Sequence, residues 1–125
     1  MNIQQRFPCA PSSIARARHF AAAHLEMLAK SDTDAVLLLV SELATNAIRH
    51  ASSGFTLAID VQDETIRVSV EDEGAGQPVI TSPPFTQSSG RGLKIVDLLS
   101  DRWGVVPACA EHGKSVWFVM HVAHP

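Results

Sequence analysis

The sequence predicts an α+β fold: a two-layer α/β sandwich whose mixed, mostly antiparallel sheet of about five strands carries helices on one face. Two long runs in the first half have the apolar spacing of helices. Several other segments alternate apolar and polar residues, as strands do. Because neither an internal repeat nor a linker divides the chain, we expect a single domain over residues 1–125.

Helical patterns cover residues 14–30, 35–51 and 93–99. Ser12 or Ser13 stands where the first helix should have its N-cap, and the polar residues 31–34 precede the second helix in the same way. The first half of the second helix is apolar on nearly all sides. This pattern predicts deep burial.

Strand patterns cover residues 3–9, 55–61, 66–70, 103–106 and 115–122. The first is predicted to be an edge strand, because prolines end it. The second and third are separated by a short turn and predict a hairpin. Residues 73–91 follow, with glycines and prolines but little periodicity. A loop of this length in a compact domain is more often functional than idle.

The composition is that of an ordinary globular protein, with 46% hydrophobic and 18% charged residues. The formal charge of -3 argues against nucleic acid as the main partner, because no basic field covers the chain. No apolar run approaches the roughly 20 residues that span a bilayer, and the N-terminus is too polar for a secretory signal. We therefore expect a cytoplasmic protein with no direct nucleic-acid or membrane partner.

Glu42 and Asn46 are four residues apart in the second predicted helix. Residues at this spacing share a helix face, so both side chains are expected to point into the same space. A carboxylate can accept a proton and an amide oxygen can bind a hard cation, which suggests magnesium-dependent phosphate chemistry. Both are also ordinary helix-surface residues, and the pair gains weight only from two glycine-bearing segments downstream.

Asp72 ends the third predicted strand, and Gly74 and Gly76 follow it. The sheet would fix the Asp72 carboxylate, which can accept a hydrogen bond from an exocyclic amine. The glycines allow a sharp turn or a close approach of the backbone to a ligand. Taken alone, the segment is equally compatible with an ordinary loop rich in acids and glycines.

The sequence Gly90-Arg91-Gly92-Leu93 opens the third predicted helix. A helix N-terminus presents free backbone N–H groups and the positive end of the helix dipole, so this segment is a candidate phosphate cradle. Its spacing fits neither a Walker loop nor a dinucleotide-binding fingerprint. An ordinary helix start containing glycines is the alternative for the isolated segment.

Together and in this order, the three segments resemble the ATP-binding domain shared by gyrase, a heat-shock chaperone, histidine kinases and MutL, the GHKL superfamily with its Bergerat fold. Residues 41–51 read S-E-L-A-T-N-A-I-R-H-A, and G-R-G-L and G-K-S-V-W-F follow later. With these motifs the chain looks most like the stand-alone anti-sigma factor serine/threonine kinases of bacteria, in the versions abundant in actinobacteria. The resemblance extends over nearly the whole chain.

The resemblance implies a role for each matching polar side chain. Asn46 would bind Mg²⁺, which bridges the phosphates of ATP. Glu42 would be the general base that takes a proton from a serine hydroxyl or from water. Asp72 would receive the adenine amino group, and Ser115 stands where the family places a threonine or serine near adenine.

The resemblance also implies roles for the backbone. Gly74 and Gly76 would let the loop pass close to the nucleotide, and residues 73–91 would form a lid that orders when the triphosphate binds. Backbone N–H groups would close over the β- and γ-phosphates from Gly90, Arg91, Gly92 and Leu93.

The implied activity is that of an ATP- and Mg²⁺-dependent anti-sigma factor, a protein kinase that phosphorylates an anti-anti-sigma factor of the STAS type and sequesters a sigma factor. The length leaves no room for a transducer domain or a separate phosphoacceptor domain, which argues against a gyrase homologue or a complete histidine kinase. Two alternatives are a non-catalytic ATP-dependent binding module and a detached histidine-kinase-like ATP-binding domain. We also expect a homodimer, although the alanine-rich first helix is as well suited to packing within one chain.

Overall fold

The computed structural model describes residues 1–51, 53–74, 90–107 and 113–123. Its helices are α1 (Ser12–Ala23), α2 (Lys30–Asn46), continued by a π-helical turn (Ala47–Ala51), and α3 (Gly90–Leu99). Its strands are β1 (Asn2–Phe7), β2 (Phe55–Gln62), β3 (Thr65–Asp72), β4 (Arg102–Pro107) and β5 (Lys114–His121). They form one five-stranded sheet in the order β1-β2-β3-β5-β4, antiparallel at each of these pairings. The α+β class, the hairpin and the edge position of β1 are confirmed.

Side-chain alternation gives the sheet one buried face. Ile59, Val68 and Phe118 are neighbours in register on β2, β3 and β5, and all three are fully buried. The residues that precede Ile59 and Phe118, Ala58 and Trp117, are only half-buried. The helices therefore cover a single face, as the sequence predicts.

The helix α2 is the central element of the helical layer. Val36, Leu39 and Val40 are completely buried, but Leu38 is 43% exposed, so the predicted deep burial holds for one side of this half-helix and is wrong for the other. On one side it contacts α1, whose Ala17 and Ala21 are also completely buried within this chain. No helix among the described residues is long and apolar enough to cross a membrane.

The predicted first helix, over residues 14–30, is wrong in its second half, because α1 ends at Ala23. The chain then turns, and Leu25 and Leu28 in this turn are buried in the core. Their positions in the sequence continue the apolar spacing of α1, which is why the sequence pattern extends beyond the helix. The turn is held by a hydrogen bond of 2.9 Å from Ala29 N–H to the carbonyl oxygen of Ala123. Helix α2 accordingly begins at Lys30 rather than at residue 35.

The predicted N-caps are also wrong, since the residues before α1 and α2 are Pro11 and Ala29 and neither helix has a side-chain cap. Ser13 is fully buried, and its hydroxyl donates a hydrogen bond of 2.7 Å to the carbonyl oxygen of Pro8. This serine therefore joins β1 to α1 instead of capping the helix.

Candidate functional site

The end of α2 and the end of β3 lie at the same end of the molecule. Asn46 is the last residue of α2, and the π-helical turn leads from it into β2. The first residue of β2, Phe55, is the register partner of Asp72 at the end of β3. The strand β3 also contacts both α2 and the π-helical turn. The fold thus brings two of the predicted site residues, Asn46 and Asp72, to one end of the helix-covered face.

Asn46 is a buried polar residue with an unsatisfied amide. It is 6% exposed, and its Nδ2 has no hydrogen-bond partner among the described residues. Leaving a buried donor unpaired costs about 1–3 kcal/mol. Glu42, one turn earlier on the same helix, is half-buried. The π-helical turn starts directly after Asn46, and such turns occur frequently at functional sites.

The donor set at Asn46 fits a magnesium ion that arrives with a nucleotide. Turning the amide by 180° exchanges its nitrogen and oxygen, so the buried position can present an oxygen to a cation. The described residues contain no group of three or more histidine, cysteine or acidic side chains that could hold a metal ion by themselves. Mg²⁺ is commonly held by one or two protein ligands together with substrate phosphates. The ion would therefore bind to Asn46 and to phosphate oxygens.

The Asp72 carboxylate is buried and well anchored. The residue is 3% exposed. Its Oδ1 accepts hydrogen bonds from Gly74 N–H at 3.0 Å and from Lys114 N–H at 3.2 Å. Its Oδ2 accepts one from Lys114 Nζ at 2.8 Å. The carboxylate is thus held in one orientation at the end of β3.

The chain leaves β3 through a turn that requires glycine. Gly74 has a φ of 66°, in the left-handed region that residues with a Cβ avoid. The preceding N–H group, that of Glu73, donates a hydrogen bond of 3.1 Å to Ser53 Oγ. The predicted turn at Gly74 is thus present. Gly76 and most of the predicted lid lie outside the described residues.

An ion pair joins the edge strand β1 to the start of this loop. Arg6 Nε and Nη2 donate to the Glu73 carboxylate at 2.6 and 3.0 Å. This hydrogen bond is the largest cause that lowers the pKa of Glu73 and raises the pKa of Arg6. Gly54 lies beside the pair, where an added Cβ would come within 2.7 Å of the Phe7 carbonyl oxygen.

Helix α3 begins at Gly90, so the glycine-bearing segment forms its first turn. The first N–H groups of a helix have no partner within it and are available to an anion. Helix α3 contacts α2, the helix that carries Glu42 and Asn46. The side chains of residues 90–93 lie outside what the structure describes, and the contact of this segment with phosphates stays a prediction.

Ser115 is not brought together with the other predicted residues. Along β5, Val116 and Phe118 face the buried side of the sheet, whereas Ser115 shares the opposite face with Trp117. Lys114 lies on the same face of β5 as Val116 and Phe118, and its side chain contacts Asp72. The sequence signal for this residue is its spacing: Lys114 stands two positions before Val116 and therefore on the same face of β5 as the buried residues Val116 and Phe118.

The site therefore offers a buried hydrogen-bond acceptor at Asp72, a buried amide at Asn46 and a half-buried carboxylate at Glu42, and the helix start at Gly90 would add backbone N–H groups. These are the groups that a nucleoside triphosphate with its magnesium ion requires.

The fold and this set of residues define an ATP-binding domain of the histidine-kinase type. A family model of the histidine kinase-like ATPase domain matches residues 7–120. The chain belongs to this family.

Among curated proteins, the chain is similar to anti-sigma F factors. It is 29% identical to that of Geobacillus kaustophilus over 98 residues, which cover 68% of this chain and 66% of the relative. It is 29% identical to that of Clostridium acetobutylicum over 101 residues, covering 71% and 68%. The matched part thus spans about two thirds of these relatives' length. The resemblance to the anti-sigma kinase type of the GHKL superfamily is confirmed.

A solved structure shows the same fold. The crystal structure of the RsbU and RsbW domains of a Mycobacterium tuberculosis protein superposes with a TM-score of 0.77 at 17% identity. The superposition covers 100% of this chain and 33% of that one.

Proposed function

We propose that this protein is an ATP- and Mg²⁺-dependent anti-sigma factor that is also a serine/threonine protein kinase. The observation that carries the proposal is the buried, unpaired amide of Asn46, one turn from Glu42 and at the same end of the fold as Asp72. A buried donor without a partner is costly in the free protein. A phosphate oxygen would accept from this donor, or, with the amide turned, the metal ion would bind its oxygen, and either contact would remove that cost.

In the proposed reaction the hydroxyl oxygen of a protein serine or threonine attacks the γ-phosphorus of ATP. Its proton passes to the Glu42 carboxylate, the bond from the γ-phosphorus to the β–γ bridging oxygen breaks, and ADP leaves. Asp72 would accept the adenine amino group, and the first N–H groups of α3 would bind phosphate oxygens. The bound Mg²⁺ would neutralise charge on the phosphates.

The proposed partners follow from the relatives, which are named as anti-sigma F factors. The substrate would be an anti-anti-sigma factor of the STAS type, and the second partner would be a sigma factor. We further propose that the protein acts in the cytoplasm as a homodimer.

A transfer assay tests the kinase reaction. The full chain is incubated with γ-labelled ATP, Mg²⁺ and STAS-type proteins from the same genome, and label on serine or threonine is measured. We expect Glu42→Gln to retain ATP affinity and to lose transfer by about 10²–10⁴-fold, because the proton acceptor is removed. Glu26→Gln, in the exposed turn between α1 and α2, is the matched control and should transfer normally.

Two results would contradict the proposal in different ways. If the wild-type protein binds ATP but labels no candidate partner, the non-catalytic binding module is correct. If label reaches a histidine of a phosphoacceptor helix supplied in trans, the detached histidine-kinase domain is correct.

A further inference from the structure

Lys114 contacts the candidate adenine acceptor at two points. Its Nζ lies 2.8 Å from Asp72 Oδ2, and its backbone N–H lies 3.2 Å from Oδ1. The side chains of Lys114 and Asp72 are 15% and 4% exposed. This ion pair is thus largely removed from solvent, unlike the solvent-exposed pair of Lys30 with Asp34.

The hydrogen bonds within the described residues leave one acceptor position open on the Asp72 carboxylate. Each carboxylate oxygen accepts about two hydrogen bonds. Oδ1 already accepts from the N–H groups of Gly74 and Lys114, and Oδ2 accepts from Lys114 Nζ. A further donor would therefore bind Oδ2, the oxygen that already accepts a hydrogen bond from the ammonium group of Lys114.

A ligand at that position would meet an acceptor and a donor side by side. The ammonium group of lysine has three N–H donors, and Asp72 occupies one of them in the described contacts. The edge of adenine presents the matching pair, since its amino group is a donor and the adjacent ring nitrogen N1 is an acceptor. A 6-oxopurine such as hypoxanthine presents the reverse order at the same two atoms.

We propose that Lys114 is a base-selecting residue, which orients Asp72 and donates to N1 of adenine while Asp72 accepts from the amino group. This inference rests on the proposed function, because it requires that Asp72 faces the base of a nucleotide. It adds to that function a second contact with the base and a physical reason for the buried lysine. The charge of Lys114 also offsets the cost of burying the Asp72 carboxylate.

The test compares ATP with ITP, whose hypoxanthine base lacks the amino group. Calorimetry of the full chain with each nucleotide and Mg²⁺ gives both affinities for wild type, Lys114→Met, Lys114→Arg and the control Lys30→Met. We expect Lys114→Met to weaken ATP binding by about 10- to 100-fold, the loss of a charge-assisted hydrogen bond, and to reduce the preference for ATP over ITP. Lys114→Arg should retain most of the preference, and Lys30→Met should match wild type.

Three results would overturn the inference. Unchanged ATP affinity in Lys114→Met would show that the lysine is not used. A gain in affinity would show that the lysine blocks the site and is displaced by the nucleotide. Equal losses for ATP and ITP would assign it a structural role, or one toward the triphosphate.

A second variant separates this inference from the proposed function and covers a failure of Lys114→Met to fold. Lys114→Gln keeps a donor near Asp72, and its thermal unfolding is measured before its ATP and ITP affinities. If Asp72→Asn weakens ATP binding while a folded variant without the ammonium charge, Lys114→Met or Lys114→Gln, leaves the ATP-to-ITP ratio unchanged, the inference about Lys114 fails and the nucleotide site stands. If wild type binds no nucleotide, the proposed function fails.

Discussion

The two ends of the β2–β3 hairpin differ in how far the polar side chains near them are exposed to solvent. At the site end, where Phe55 pairs with Asp72, the polar side chains of Asn46, Ser53 and Asp72 are all buried. At the turn end, where Gln62 pairs with Thr65 and Thr65 with His121, the ring Nδ1 of His121 lies 2.8 Å from Asp101 Oδ2 and both side chains are more than half exposed. The same two strands thus join a buried polar cluster to a solvated surface.

The exposed contact at the turn end is solvated and needs no further partner. The buried cluster at the site end contains an amide, that of Asn46, without a hydrogen-bond partner among the described residues. At the turn end, the hydrogen bond from His121 lowers the pKa of Asp101 and fixes the start of β4, and neither side chain is removed from water. At the site end the side chains of Asn46, Ser53 and Asp72 are desolvated, although the Arg6–Glu73 pair beside them stays exposed. Burying a polar group costs free energy unless the group is paired. The unpaired amide of Asn46 shows that pairing within the described residues is incomplete. A ligand is the simplest partner for it.

The largest effect is expected from neutralising the buried acid. Asp72→Asn leaves the Lys114 ammonium buried without its counter-charge, so the free energy of unfolding should fall by about 3–5 kcal/mol. ATP affinity should fall about 100-fold, since the acceptor for the amino group is lost as well. The matched change at the turn end, Asp101→Asn, should leave ATP affinity unchanged. Denaturant unfolding and calorimetry measure both, and equal losses of affinity in the two variants would contradict the comparison.

Removing the unpaired amide should separate stability from function. Asn46→Leu replaces the buried amide by an apolar group of similar shape, so the ligand-free protein should become more stable by up to about 1–3 kcal/mol. The same variant should lose the Mg²⁺ dependence of tight ATP binding.

The control for this variant is Ser13→Ala, which removes a buried but satisfied hydroxyl. It should destabilise the protein by about 1 kcal/mol and leave nucleotide binding intact. If Asn46→Leu destabilises the protein as Ser13→Ala does, Asn46 is a structural residue.

Close packing at the site end should make Gly54 harder to replace than Gly104. An alanine Cβ at Gly54 would lie 2.7 Å from a backbone atom, the Phe7 carbonyl oxygen, which cannot move away freely. At Gly104 the nearest atom, at 2.9 Å, belongs to the half-buried ring of Trp117. We expect Gly54→Ala to cost about 1–3 kcal/mol and Gly104→Ala less, as measured by thermal unfolding. A larger loss for Gly104→Ala would show that the sheet at Gly54 is readily deformed.

The smallest effect concerns the exposed pair at the start of the loop. The pKa of Glu73 in the folded chain is below its ordinary value of 4.5, mainly because of the hydrogen bond from Arg6. The stabilisation of the folded chain by the ionised Glu73 carboxylate is therefore complete at pH values above the ordinary pKa, and it is lost as the pH falls through the lower pKa of the folded chain. Glu73→Gln should remove this part of the acid dependence, measured as the difference in unfolding temperature between neutral and acidic buffer. An unchanged difference would mean that the pair does not form in solution.

The sequence predicts the sheet and most of the site because those residues obey local rules. Alternation along β2 and β3 identifies the hairpin, and helical spacing places Glu42 and Asn46 on one helix. The end of α1 could not be read in this way, because Leu25 and Leu28 continue the helical spacing from within a turn.

The position of Ser115 on the other face of the sheet has a related cause. Its assignment came from the motif, whereas the face on which it lies depends on the phase of β5 relative to the sheet. Lys114 was missed because its partner is 42 positions away in the chain, and only the pairing of β3 with β5 brings the two residues together.

The most direct test is calorimetry of the ligand-free wild-type protein and Asn46→Leu with ATP, each with and without Mg²⁺. A nucleotide site at the end of α2 predicts that magnesium strengthens ATP binding to wild type and that Asn46→Leu, still folded, loses this gain. If magnesium strengthens ATP binding equally in both proteins, or if the folded wild type binds no ATP, the unpaired amide is not there for a nucleotide and the account is wrong.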